Sequence, residues 1–152
     1  MKRRVVVTGL GAVTPMGNDV PTVWENALAG RSGITRITRF DASDLRVQIA
    51  AEVKGFDPEA IFGRRDARRN DPVSLFAMEA SRQAMEDAHL VIEGEGQHRA
   101  GAVVGTGIGG VLSLLVNYDT INSAGPRRVS PFMIPMMMSN APSAAVSMLH
   151  GL

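Results

Sequence analysis

Ala102 to Val111, AVVGTGIGGV, limits the possible folds of this chain more than any other stretch. Small and β-branched residues run into Gly105-Thr-Gly107-Ile-Gly109-Gly110, and a helical pattern follows. The order reads as a buried strand, a tight turn and a helix start. Four glycines in six positions require backbone that comes close to something, takes a positive φ, or both. Ile108 is the one large side chain in the turn, so an apolar group stands at the tip of a stripped-down loop. That is the shape expected at the wall of an apolar pocket.

The rest of the chain repeats this alternation. Arg4 to Thr8, RVVVT, is a β-branched run ended by Gly9-Leu-Gly11 and reads as a buried parallel strand. Asp19 caps a helix with Pro21 in its first turn, and Gly30 stops it. Arg31 to Asp44 reads as irregular, and Val47 to Val53 alternates as a half-exposed strand does. Asp57-Pro58 opens a short helix broken at Gly63, and Arg64 to Asn70 is a basic helical segment. Asp71-Pro72 starts a helix reaching about His89, with Val73, Phe76, Ala77, Ala80, Ala84 and Ala88 on one face. Glu79, Arg82, Gln83 and Glu86 take the other face. The strand Ala100 to Val104 precedes a helix from about Gly110 to Asn122, a short helix from Ser130-Pro131, and a small-residue helix over Asn140 to Leu149. Strands alternating with helices give an α/β class. The echo between Val7-Thr-Gly-Leu-Gly11 and Gly105-Thr-Gly-Ile-Gly109 suggests two strands at equivalent places in one sheet.

A chain of 152 residues suits one domain with its own core. No apolar run reaches spanning length, and Met1 to Arg4 lead straight into the first strand pattern. Neither a signal peptide nor a membrane helix is expected, no membrane partner follows, and the cytoplasm is the expected location. Cysteine is absent, which removes disulfides, Cys-type zinc sites and thiol nucleophiles from these residues. Residues 1–70 hold twelve Lys and Arg against eight Asp and Glu, while residues 71–152 hold four against seven. Neither half is basic enough for a nucleic-acid partner, and the first half leaves room for an acidic one.

Three motifs carry possible chemistry. Gly105, Gly107 and Gly110 spell G-x-G-x-x-G after a strand, as a dinucleotide site does. The acidic residue that fingerprint requires further on is not there: Asp119 comes too early, and residues 126–131 are PRRVSP. Arg65, Arg68 and Arg69 share a helix face, where like charges repel by about 0.2–0.5 kcal/mol per pair. Two readings stay open there: a docking patch for an acidic protein or a phosphate, or a solvated face eased by Asp66 and Asp71. Met133 to Met138 forms an apolar block, either core or an interface or acyl-binding surface. His89, His98 and His150 lack metal-ligand spacing, Ser130 has no evident base, and no complete catalytic constellation emerges.

RVVVTGLGAVTPMGN at Arg4–Asn18, RSGI at Arg31–Ile34, the RRDARRND block, GTGIGG and GPRRVSPFMIP at Gly125–Pro135 together resemble the start of a β-ketoacyl-acyl-carrier-protein synthase. GTGIGG and GPRRVSPF look most like the class II branch, which elongates medium and long chains in type II fatty-acid synthesis. The resemblance runs over residues 1–152 and covers about the first third of a family member. It implies a thiolase-like α/β fold in incomplete form, most of the amino-terminal half of a five-layer α-β-α-β-α body. The single domain 1–152 is then expected to stop before the nucleophile.

The family catalyses a decarboxylative Claisen condensation of an acyl thioester with malonyl-carrier protein. The family's nucleophile is a cysteine at a helix N-terminus, assisted by two histidines and a lysine. None of these groups falls in this segment, and His89, His98 and His150 do not match the histidines, so the resemblance implies a segment inactive alone. By resemblance, Arg65, Arg68 and Arg69 match a carrier-protein docking patch. Ile108 matches a residue lining the acyl pocket, and Phe132 and Met133 match the segment reaching across a dimer toward it. Met133 departs from the aromatic expected there, which bears on chain-length preference. The partners implied are acyl carrier protein and a second copy, in a homodimer. No metal or cofactor of its own is implied, since the phosphopantetheine belongs to the carrier. A different reading makes the chain a non-catalytic carrier-binding or chain-length-factor-like subunit.

Overall fold

Asp19, Asp57 and Asp71 each stand before a first turn that contains proline, and each starts a helix in the computed structural model, which describes residues 2–152. Met1 lies outside the described residues. The Asp19 carboxylate accepts from the Thr22 N–H at 2.8 Å and opens α1, Val20–Leu28. Asp57 accepts from Glu59 and Ala60 at 3.0 and 3.1 Å and opens α2, Pro58–Arg69, which kinks at Gly63 with φ 79°. Asp71 accepts from Val73 at 3.1 Å and opens α3, Pro72–Asp87. Each cap satisfies backbone donors that a helix start leaves without partners. Between α1 and α2, β1 (Ile34–Arg36) pairs antiparallel with β2 (Ile49–Ala51), Ile34 opposite Ala51. After α3 come a 3₁₀ turn at Gly94–Arg99, α4 (Val111–Ala124), a 3₁₀ turn at Pro126–Arg128, α5 (Met133–Met137) and α6 (Ala141–His150).

α3 is the axis of the arrangement. Leu75 and Met78 meet Ala145 of α6, with Phe56 and Phe62 packed against them, and Phe56 meets Phe76 edge-on at 5.1 Å. The small side chains of α6 allow the close approach that the sequence suggested. The polar face of α3 holds the first loop. Asp87 accepts from the Leu10 N–H at 2.9 Å, Gln83 accepts from Ala12 at 3.0 Å, and the Gln83 amide donates to the Asn18 carbonyl at 2.7 Å. The loop lies so close that a Cβ on Gly11 would stand 1.9 Å from the Ala80 carbonyl oxygen.

Several expectations are corrected. Arg4–Thr8 and Ala100–Val104 form no strand among the described residues, and their valines are open, Val5 at 91% and Val103 at 98% exposure. A β-branched run becomes a strand only where a neighbouring backbone supplies its ladder, and neither run has a ladder partner among the described residues. β1 lies inside a stretch read as irregular, and the strand expected over Val47–Val53 shortens to Ile49–Ala51. Glu79, expected on the open face of α3, is buried at 5% exposure because Arg82 grips it. α4 is inverted relative to an ordinary amphipathic helix: Ser113 and Asn117 are buried while Leu115, Val116 and Tyr118 are exposed.

Candidate functional site

The kink at Gly63 frees the second half of α2 to run as a short basic helix, with Arg64, Arg65, Arg68 and Arg69 exposed. Arg68 has only a loose neighbour, Glu59, at 4.0 Å, with both side chains open to solvent. Such a pair contributes about 1 kcal/mol at most. Asp71 does not ease this charge as expected: its carboxylate turns inward. Arg69 leaves the row, and its guanidinium carbon lies 4.7 Å over the centre of the Phe132 ring. Arg128, which sequence reasoning passed over, lines the same groove as Arg68, a space of about 480 Å³ floored by Leu112, Val116 and Met136. Its signal was the paired arginines after Gly125-Pro126.

A buried polar chain lies beneath the arginines. Asp71, 2% exposed, caps α3 with one carboxylate oxygen. Its other oxygen accepts from the Ser113 N–H at 2.9 Å and the Ser113 hydroxyl at 2.7 Å, in the first turn of α4. One carboxylate thus answers two helix N-termini, both positive ends of helix dipoles. One turn along α4, the Asn117 amide donates to the Ser113 carbonyl at 2.7 Å, and its oxygen accepts from the Ser130 N–H at 2.9 Å. Ser130 Oγ then accepts from the Phe132 N–H at 3.2 Å. The trace in the sequence is Ser113, Asn117 and Thr120, spaced four and three apart along one face of α4.

The glycine turn leans on the methionine helix. Gly109 takes φ 80°, and a Cβ on Gly110 would stand 2.1 Å from the Met136 carbonyl oxygen. Gly110 N–H donates to the Met137 carbonyl at 3.2 Å, and Gly109 N–H to Thr106 Oγ1 at 2.6 Å. Gly105 and Gly107 have open space where a Cβ would stand. Two of the turn's N–H donors, those of Gly109 and Gly110, are thus taken by protein acceptors. Ile108 stands 73% exposed at the tip. Phe132 and Met133, both half-buried, sit at the other end of α5 from the Gly109–Gly110 contact. One expected arginine thus meets one expected apolar residue, through the Arg69–Phe132 contact at the start of α5.

The remaining titratable groups serve structure. Ser81 Oγ lies 2.8 Å from the Met78 carbonyl, to which it donates, and 3.0 Å from His150 Nε2. Burial pushes the His150 pKa down. His89 and His98 are exposed. Hydrogen bonds from Arg82, then Gln83, hold the Glu79 carboxyl below its ordinary value, while the Glu79 contact raises Arg82. Among the described residues, no group of three His, Cys, Asp or Glu side chains is placed to hold a metal ion, and no helix is long and apolar enough to cross a membrane.

Comparison with known proteins fits this geometry into a lineage. The family described as Beta-ketoacyl synthase, N-terminal domain, matches residues 2–152. 3-Oxoacyl-acyl-carrier-protein synthase 2 of Coxiella burnetii (strain RSA 493 / Nine Mile phase I) is 48% identical over 151 residues, covering 99% of this chain and 36% of the relative. The protein of the same name from Synechocystis sp. (strain ATCC 27184 / PCC 6803 / Kazusa) is 46% identical over 150 residues, covering 99% and 36%. A solved structure titled the ishigamide ketosynthase/chain length factor superposes with a TM-score of 0.81 at 27% identity, covering 99% of this chain and 38% of that one. The chain thus spans little more than a third of the length of the curated relatives it matches. The thiolase-like α/β class expected from the sequence holds, in partial form.

Proposed function

This chain belongs to the β-ketoacyl synthase family, as its N-terminal domain, and we propose that it serves a class II enzyme elongating fatty acyl chains on acyl carrier protein. The reaction is the decarboxylative Claisen condensation. An acyl group passes as a thioester from carrier protein to a cysteine. Malonyl-carrier protein then loses CO₂, and the carbanion left behind attacks the thioester carbonyl and expels the thiolate. No cysteine stands in these 152 residues, so on this reading the nucleophile and its histidines belong to other parts of the protein. The domain 1–152 contributes docking and pocket surfaces and does not turn over substrate alone.

The roles follow the geometry. Arg65, Arg68 and Arg69 form the landing strip for the acidic carrier, with Arg128 across the groove from Arg68. Exposed, unneutralised guanidinium groups steer an acidic partner and fix its register more than they hold it. Ile108 forms part of the acyl-pocket wall, and Phe132 and Met133 shape it from the segment that meets a second copy in a homodimer. The open apolar side chains Leu115 and Tyr118 on α4 suit burial in such an assembly. A flexible thioether at Met133, in place of an aromatic ring, suits a more adaptable chain-length limit.

The observation that carries the reading is the family match over residues 2–152 together with exposed arginines on the kinked half of α2. The test is a condensation assay. The full-length protein carrying this segment, given acyl-carrier protein and malonyl-carrier protein, yields the 3-oxoacyl product two carbons longer, and residues 1–152 alone yield none. A second reading, a non-catalytic subunit paired with an active synthase, draws on the likeness to a ketosynthase/chain length factor structure. Carrier binding by the full-length protein with no condensation would favour it.

A further inference from the structure

We propose that Arg69 is a coupling residue as well as a docking cation: it links carrier docking on α2 to the placement of the Phe132–Met133 segment. The inference rests on the docking reading above and deepens it. Arg68, one residue earlier, is open to solvent with Glu59 at 4.0 Å, whereas the Arg69 guanidinium carbon lies 4.7 Å over the centre of the Phe132 ring. That stack closes a circuit. From Arg69 the backbone leads two residues to buried Asp71, and from there hydrogen bonds run to Ser113, Asn117 and Ser130. Ser130 Oγ accepts from the Phe132 N–H, and the Phe132 ring returns to Arg69.

The geometry of guanidinium explains how docking reaches the ring. Its five N–H groups lie in its plane, so a guanidinium that meets an aromatic ring with its face keeps those donors free at its edge. A carboxylate of an acidic carrier can grip the edge of Arg69 without unstacking it. The grip fixes the plane, and the plane fixes Phe132 and its neighbour Met133. Asp71, Ser113 and Asn117 are buried, so the hydrogen-bonded side of the circuit is stiff and the Arg69–Phe132 stack is its adjustable joint. Coupling between sites is reciprocal: an acyl chain that suits the placed Phe132–Met133 segment strengthens carrier binding in turn. Lysine keeps the charge and loses the plane.

The experiment measures kcat/KM of the full-length protein for a short-chain and a long-chain acyl-carrier protein. Arg68→Lys is expected to lower both values by the same factor. Arg69→Lys and Phe132→Leu are expected to change their ratio by roughly threefold or more, in the range a cation–π contact supports. The double variant should shift the ratio no further than either single one, because both remove the same joint. A second reading avoids turnover: the Phe132→Trp variant should change its emission when carrier protein binds, and lose that response when Arg69→Lys is added. An unchanged ratio in Arg69→Lys, or additive shifts in the double variant, overturns the coupling while leaving the docking reading intact. If Arg68→Glu leaves carrier affinity unchanged, docking on α2 itself fails and the coupling falls with it.

Discussion

At Gly110 a single added carbon would meet the Met136 carbonyl oxygen at 2.1 Å, while at Gly107 it would meet nothing within 4 Å. Two glycines of one motif therefore have different reasons to exist. Gly110→Ala should destabilise the protein by about 1–3 kcal/mol through displacement of α5, the usual scale of overpacking. Gly107→Ala should stay within about 1 kcal/mol of the parent, or gain slightly from a less flexible unfolded chain. Denaturant titration of the full-length variants separates the two. The sequence showed that the backbone approaches something here, but not that the neighbour was α5, because that contact spans residues far apart in the chain. Titration supplies a second prediction. The Glu79 carboxyl is held below its ordinary value of 4.5, so the native state binds fewer protons than the unfolded chain there. Its contribution is complete above about pH 4.5 and is lost as pH falls through the native value. His150 is also depressed, from 6.5, and its share is lost as pH falls from there. A stability-against-pH series should therefore flatten below about pH 4.5 for Glu79→Gln, and below about pH 6.5 for His150→Gln. Unchanged profiles would contradict these assignments.

Helix starts were the most legible elements. Asp19-Val-Pro21, Asp57-Pro58 and Asp71-Pro72 each place a carboxylate cap before proline, and all three helices begin where that chemistry puts them. The kink at Gly63 was legible for the same local reason. The strand patterns at Arg4–Thr8 and Ala100–Val104 misled, since a ladder depends on a neighbour that no local pattern specifies. Asp71 was read as a cap, and its second role at α4 was hidden, because a carboxylate's other oxygen is free to bond across the fold. That role has a measurable weight. Asp71→Ala removes the cap of α3 and leaves the Ser113 N–H and hydroxyl buried without an acceptor, which should cost about 2–4 kcal/mol. Ser113→Ala removes only one donor and should cost about half as much or less. Thermal or denaturant unfolding of both variants checks the order, and equal losses would contradict the two-helix role.

The molecule as a whole carries more open apolar surface than a self-sufficient domain does. Val5, Val103 and Met148 are 91%, 98% and 77% exposed, and α4 faces outward with leucine and tyrosine. Residues 1–152 alone should therefore self-associate, bind a hydrophobic dye and lack a sharp melting transition. In the full-length protein, amides of Val5–Val7 and Val103 should be protected from hydrogen exchange by neighbouring strands, and in the isolated segment they should exchange freely. A monodisperse, cooperatively melting 152-residue monomer would contradict this picture. The arginines proposed for docking were legible at this scale as a charge asymmetry between the two halves. Their link to Phe132 was not, since a residue at the end of α2 and one at the start of α5 meet only through the fold. The central claim, that an acidic carrier lands on the kinked half of α2, is tested most directly by calorimetric titration of the full-length protein with acyl carrier protein. With Arg65→Glu and Arg68→Glu together, affinity should fall by about tenfold or more at low salt, and the difference should shrink as salt is raised. Equal affinity of parent and double variant at low salt would contradict the account.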